Sequence, residues 1–132
     1  MNKHKVLIVE DEILVAETIR QSLLRHGYAV AAMAVTGEEA IRLAEIYTPD
    51  VVIMDIALKD EMDGIQAAST INMRRATPVI FLTAHASMDM FNRAKIIERF
   101  VYISKPFKDR QILSAIETLT NGNLSAGHTA EC

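Results

Sequence analysis

Cysteine is nearly missing from this chain: there is one, Cys132, and it is the last of 132 residues. An intramolecular disulfide is therefore excluded, and a lone terminal thiol, read here as solvated, offers neither a thiolate metal cluster nor a buried catalytic nucleophile. Long hydrophobic runs are missing as well. The longest wholly apolar stretch, Ala29 to Val35, is far short of the roughly 20 residues a helix needs to cross a bilayer. With a strand expected from Lys5 onward there is no room for a signal peptide, so the expectation is a cytoplasmic protein without membrane insertion. Aromatic residues make up only 5% of the chain, and the net charge of -3 is spread over both signs. Direct nucleic-acid binding, which uses base-stacking surfaces and basic patches, is not expected. What is present is ordinary globular material, 50% hydrophobic and 23% charged, enough for one core-forming domain.

Apolar runs of strand length recur along the chain: Lys5 to Val9, Tyr28 to Val35, Val51 to Met54 ending on Asp55, Pro78 to Leu82, and Phe100 to Ile103. Helical patterns lie between them. The first opens with Glu10, Asp11 and Glu12, sets Ile13, Leu14, Ala16, Ile19, Leu23 and Leu24 on its inward side, and stops at Gly27. The second has Thr36 as N-cap and Glu39 at the third helical position, with Ala40, Ile41, Leu43, Ala44 and Ile46 inward, and is closed by Pro49. A third starts at Gly64 and carries Ile65, Ala67, Ala68 and Ile71. A fourth is capped by Ser87, with Phe91, Ala94 and Ile97 inward. The last carries Ile112, Leu113, Ile116 and Leu119 and ends at Asn121-Gly122-Asn123. The gaps between strands are too long for hairpins and right for helical crossovers. The expected fold is α/β, a three-layer doubly wound sheet of five parallel strands with helices on both faces. Residues 1–120 are expected to form the domain and residues 121–132 a flexible tail.

In such a sheet the carboxyl ends of the strands open on one edge, where ligands bind. That edge receives Glu10 and Asp11 from the first strand, Asp55 from the third, Thr83 from the fourth and Lys105 from the fifth. Asp55 is central, because four apolar residues deliver it to the mouth of a strand that reads as buried on both faces. Three carboxylates held close repel one another and persist as anions only with a cation among them. Oxygen ligands without His or Cys select a hard ion, and Mg²⁺ needs few carboxylates while keeping waters and a phosphate oxygen in its shell. With the Lys105 ammonium opposite and the Thr83 hydroxyl as donor, the set suits a phosphoryl group. Asp55 is then left facing phosphorus as an oxygen nucleophile, in a transfer that depends mostly on positioning and charge neutralisation.

The blocks Val9-Glu10-Asp11-Glu12, Met54-Asp55, Met62-Asp63-Gly64, Leu82-Thr83-Ala84 and Lys105-Pro106-Phe107, in this order, resemble a response-regulator receiver domain from about Lys5 to Leu119. The resemblance implies the flavodoxin-like strand order 2-1-3-4-5. It implies Asp55 as the phosphoacceptor, supplied by the phosphohistidine of a sensor histidine kinase or by a phosphotransfer protein. Asp11, Asp55 and the backbone carbonyl of Ala57 would ligate Mg²⁺, and Glu10 would hold it through water. Lys105 would pair with the phosphoryl group, Thr83 and Tyr102 would be switch residues, and the Lys105-Pro106 bond would be cis, aiming the lysine inward. Ala57 and His85 would tune phosphoryl lifetime, the first leaving water access open and the second shading it. A downstream protein target would meet the surface around the fourth helix, fifth strand and fifth helix, where Met88, Met90 and Phe91 lie; homodimerisation is left open. The pattern departs from the family at Glu10, where Asp is common; at Lys59, where proline is usual; by one extra residue before Gly64; and at Glu98-Arg99, where Gly-Ala is frequent.

Each residue also has a plainer reading. Taken alone, Asp55 is most often a cap or turn residue, Thr83 a helix cap and Lys105 a solvated charge; their joint placement argues against all three. His85 reads as a partly exposed loop histidine, and Tyr102 as a strand residue with its hydroxyl in water. Helical spacing puts Phe91 in the core, and Gly37, Gly64 and Thr36 are structural. One rival function is a slow phosphohydrolase with an aspartyl phosphate intermediate, which usually wants a second acid where Ala57 stands. Another is a flavin carrier on the same fold, opposed by Glu10-Asp11-Glu12 in place of a phosphate-cradling loop. The chain is expected not to be an enzyme beyond its own phosphotransfer and autodephosphorylation, and to be either a stand-alone switch or the receiver part of a larger regulator.

Overall fold

The computed structural model describes residues 4–59, 61–85 and 87–121. Along the chain come β1 (Lys5–Val9), α1 (Ile13–Arg25), β2 (Ala29–Ala34), α2 (Gly37–Tyr47), β3 (Val51–Asp55), α3 (Gly64–Arg74), β4 (Val79–Thr83), α4 (Met88–Arg93), β5 (Phe100–Ser104) and α5 (Asp109–Thr120). All strand pairings are parallel and the order is β2-β1-β3-β4-β5, as the resemblance implied. The expected tail lies, from residue 122 on, outside the described residues.

Alternation along the strands divides the core in two. Val6, Ile8, Val51, Ile53, Ile80, Leu82, Val101 and Ile103 face α1 and α5, meeting Ala16, Ile19 and Leu23 on one and Ile112, Ile116 and Leu119 on the other. Their neighbours Leu7, Val9, Val52, Met54, Val79, Phe81, Phe100 and Tyr102 face α2 and α3, with Ala94 and Ile97 on the same side. Every residue of β3 and β4 is buried, which is why these strands read as unbroken apolar runs rather than as alternating ones. The register sets Val9 beside Met54, Asp55 beside Leu82 and Thr83 beside Ser104, so the strand ends reach one edge together.

Several expectations are corrected. Ile13 and Leu14, set inward by their spacing, are 74% and 83% exposed. Burial in α1 begins only at Ala16, so the first turn overhangs the sheet edge and has no layer to cover. Leu24 and Ile46, also expected inward, are exposed near the ends of their helices, and in α2 the small Ala40 and Ala44 fill the seam instead. Strand β2 lacks Tyr28 and Val35 at its ends; the Val35 N–H is taken by the Glu39 carboxylate at 2.9 Å. Helix α4 stops at Arg93, so Ala94 and Ile97 are inward as expected but lie beyond it, in turns. The expected caps are present: Thr36 Oγ1 accepts from the Glu39 N–H at 3.1 Å and Ser87 Oγ from the Met90 N–H at 3.2 Å. Gly27, at φ 87°, supplies the left-handed conformation that follows α1. Among the described residues no helix is long and apolar enough to cross a membrane.

Candidate functional site

Because β1 and β3 are neighbours, their ends carry Glu10 and Asp55 to the same place. Both side chains are buried, at 2% and 3% exposure, while Asp11 is half-buried. One carboxylate oxygen from each of Glu10, Asp11 and Asp55 lies within 4.8 Å of the other two. Backbone N–H groups fix all three acids: Glu12 donates to Glu10 Oε2 at 3.1 Å, Ala57 to Asp55 Oδ1 at 3.2 Å and Lys59 to Asp11 Oδ2 at 3.1 Å. Burial pushes the Glu10 carboxyl up from 4.5 to about 7; the Glu12 N–H and the Lys105 ammonium pull against this and the Asp55 charge adds to it. Glu10 Oε1 is buried with no hydrogen-bond partner. An orphaned carboxylate oxygen beside two further carboxylates is the all-oxygen donor set that a hard cation such as Mg²⁺ takes, so the residues fit that ion.

The cationic group comes from the end of β5. Lys105 Nζ stands 3.3 Å from Asp55 Oδ1 and 3.8 Å from Glu10 Oε1, and the Lys105-Pro106 bond is cis. The Lys105 N–H donates to the Thr83 carbonyl at 2.8 Å, tying β5 to β4 at this edge. Thr83 itself is 5% exposed. Its Oγ1 accepts from the His85 N–H at 3.1 Å and lies 4.0 Å from Met90 Sδ; it closes a local turn and is not the cap of the following helix, which is Ser87. Ala57 and His85 are exposed at the rim.

Tyr102 does not have its hydroxyl in water. It is 4% exposed, stacks on Phe81 with centroids 5.2 Å apart, and donates from Oη to the Met90 carbonyl at 2.6 Å. Burial pushes the phenol up to about 12. Met90 thus touches both Thr83 and Tyr102, a role that sequence reasoning missed by grouping it with a surface patch; its spacing of four and seven from the buried Ala94 and Ile97 was the available signal.

The loop after Asp55, whose shape the sequence left undefined, folds back on the strand. Ile56 donates to the Leu82 carbonyl at 3.1 Å, its own carbonyl accepts from Gly64 at 2.9 Å, and the Leu58 side chain is buried. A Cβ on Gly64 would lie 2.3 Å from the Asp55 carbonyl oxygen, so only glycine lets α3 start against the Asp55 backbone. Asp63 caps α3 reciprocally with Gln66 and also accepts from Arg93 at 2.6 Å. At the Glu98-Arg99 turn, the Arg99 carbonyl accepts from the Val79 N–H at 3.1 Å. On the α1 side, Glu12, Leu14, Val15 and Thr18 face Lys105, Pro106 and Phe107 across an open groove of about 390 Å³. Chemically, the edge combines an anionic oxygen pocket for a hard cation, an ammonium group, and one carboxylate that both can reach.

Comparison with known proteins agrees with this geometry. The family model of the response regulator receiver domain matches residues 6–117. The transcriptional regulatory protein PdtaR of Mycobacterium tuberculosis is 40% identical over 113 residues, covering 86% of this chain and 55% of PdtaR. The chemotaxis protein CheY of Bacillus subtilis is 33% identical over 119 residues, covering 89% of this chain and 98% of CheY. The chain therefore spans about half the length of some relatives and nearly all of another. Among solved structures, the signal receiver domain of a modulated diguanylate cyclase from Desulfovibrio desulfuricans G20 superposes with a TM-score of 0.82 at 35% identity, covering 91% of this chain and 95% of that one. With the domain match spanning most of its length, this chain belongs to the response regulator receiver domain family.

Proposed function

We propose that the chain is a phosphorylation-dependent signalling switch whose phosphoacceptor is Asp55. The observation that carries this reading is the placement of Lys105 Nζ 3.3 Å from Asp55 Oδ1, beside the orphaned Glu10 Oε1. Asp11, Asp55 and the Ala57 carbonyl would hold Mg²⁺, with Glu10 reaching it through water, and the ion when bound neutralises charge on the phosphoryl oxygens. An Asp55 carboxylate oxygen attacks phosphorus of a phosphohistidine on a sensor kinase or phosphotransfer protein. The P–N bond breaks, the imidazole nitrogen keeps the electron pair, and an acyl phosphate remains. Lys105 moves its ammonium from the Asp55 carboxylate to a phosphoryl oxygen, and the Thr83 hydroxyl donates to another.

The product carries about -1.5 to -2 of new charge, and drawing Thr83 toward it removes the hydroxyl from Met90. Since Tyr102 also holds Met90, α4 is the element that feels the change, and the surface formed by α4, β5 and α5 is the one a downstream protein target would read. The groove beside Lys105, with Leu14 at its lip, is where the donor protein would rest, because a donor that reaches Asp55 must cover that mouth. Ala57 and His85 at the rim would set how fast water removes the phosphoryl group. The switch would act in the cytoplasm and do no chemistry beyond its own phosphotransfer and autodephosphorylation. A phosphohydrolase would need a second acid where Ala57 stands.

Incubation with Mg²⁺ and acetyl phosphate, followed by peptide mass mapping, should find one phosphoryl group on Asp55, lost when the metal is chelated. An Asp55→Asn protein modified to the same extent would refute the assignment.

A further inference from the structure

Helix α4 has no fully buried residue; Met90 and Phe91 are partly buried against the core beneath it, and polar tethers add to that packing. Tyr102 Oη donates to the Met90 carbonyl at 2.6 Å and Thr83 Oγ1 lies 4.0 Å from Met90 Sδ. Those contacts join α4 to the residues that a phosphoryl group would draw on. A third tether, Arg93 to Asp63 Oδ2 at 2.6 Å, goes elsewhere. Asp63 is the N-cap of α3 and the last residue of the loop that leaves Asp55, and the same loop gives its Lys59 N–H to Asp11. The pair therefore fastens α4 directly to the loop that walls the acidic pocket.

We propose that the Asp63–Arg93 ion pair is a latch that holds α4 in its resting place and so weakens the response to phosphorylation. The inference rests on the switch reading given above and makes Asp63 and Arg93 positioning residues, since neither belongs to the phosphate site. If α4 moves when Asp55 is phosphorylated, the bond between the pair must stretch, and a ligand that favours the moved state must do that work. By reciprocity, removing the pair must tighten the binding of a phosphoryl analogue. The side chains are 36% and 33% exposed, so the gain is that of a partly solvated pair, about two- to five-fold in affinity.

The test is calorimetric titration with beryllofluoride in Mg²⁺ of the wild type, Asp63→Asn, Arg93→Ala and the double variant. Asn keeps a capping oxygen, so α3 retains its start. Each single variant should bind about two- to five-fold more tightly, and the double variant no more tightly than either. Amide exchange across α4 in the ligand-free singles should be faster by a similar factor. A purely structural role would loosen α4 while leaving beryllofluoride affinity unchanged or lower, and a simple field effect would move the two singles in opposite directions. Either pattern, or additive singles, overturns the latch while leaving the Asp55 reading intact. A wild type that binds no beryllofluoride overturns both.

Discussion

At Gly64 a missing side chain matters as much as any carboxylate. A methyl group there would stand 2.3 Å from the Asp55 carbonyl oxygen and 2.9 Å from the Ile56 Cα, contacts made by backbone that has nowhere to go. Gly64→Ala should therefore push α3 away from the end of β3, costing about 1–3 kcal/mol in urea denaturation, and should slow acetyl-phosphate labelling of Asp55. The meeting of single residues at one edge of the sheet could also be read from the sequence. Glu10, Asp55, Thr83 and Lys105 were legible because each stands at the end of an apolar run, and a parallel sheet brings such ends together. Met90 was not, since its importance depends on where α4 lies over β4 and β5. The Tyr102 hydroxyl was misplaced for a similar reason: alternation along β5 puts its ring among Phe81, Phe91 and Phe100, an aromatic cluster assembled from three different elements.

At the level of elements, the strands were legible because β3 and β4 are buried on both sides, whereas helix periodicity says nothing about where the sheet beneath a helix ends. That gap misplaced Ile13 and Leu14. They are 74% and 83% exposed, and Leu14 lines the groove that Lys105 and Pro106 also line, where the proposed phosphodonor protein would rest. Leu14→Glu should slow transfer from a phosphohistidine donor by about ten-fold or more, as expected for charge placed in an apolar contact, and leave labelling by acetyl phosphate unchanged. The two rates measured side by side separate docking from chemistry, and equal slowing of both would remove the groove from the donor path. The length of α4 was likewise illegible: Ala94 and Ile97 keep the helical spacing although the helix has already ended.

For the molecule as a whole, the buried Glu10 is expected to make stability depend on pH, and on Mg²⁺ where the ion binds beside it. Its carboxyl is raised from 4.5 to about 7, so between those values the folded state binds more protons than the unfolded one. The associated stability is complete below 4.5, is lost as pH rises through 7, and stays lost above it. Thermal melts in chelator should accordingly show the wild type losing more stability between about pH 5 and pH 8 than Glu10→Gln, by an amount on the order of 2–3 kcal/mol. Added Mg²⁺ at the higher pH should restore the wild type more than the variant; identical pH profiles would mean that the Glu10 carboxyl is not held up by its burial. The same whole-molecule view changes the meaning of α4. Two apolar cores are built on the sheet, and α4 reaches one of them through the partly buried Met90 and Phe91 alone. Its remaining positions, Met88, Asp89, Asn92 and Arg93, are exposed and lie outside both cores. On the switch reading proposed above, chains sharing this scaffold would carry different addresses on those positions, and a family of otherwise interchangeable switches would be kept from answering one another's messages.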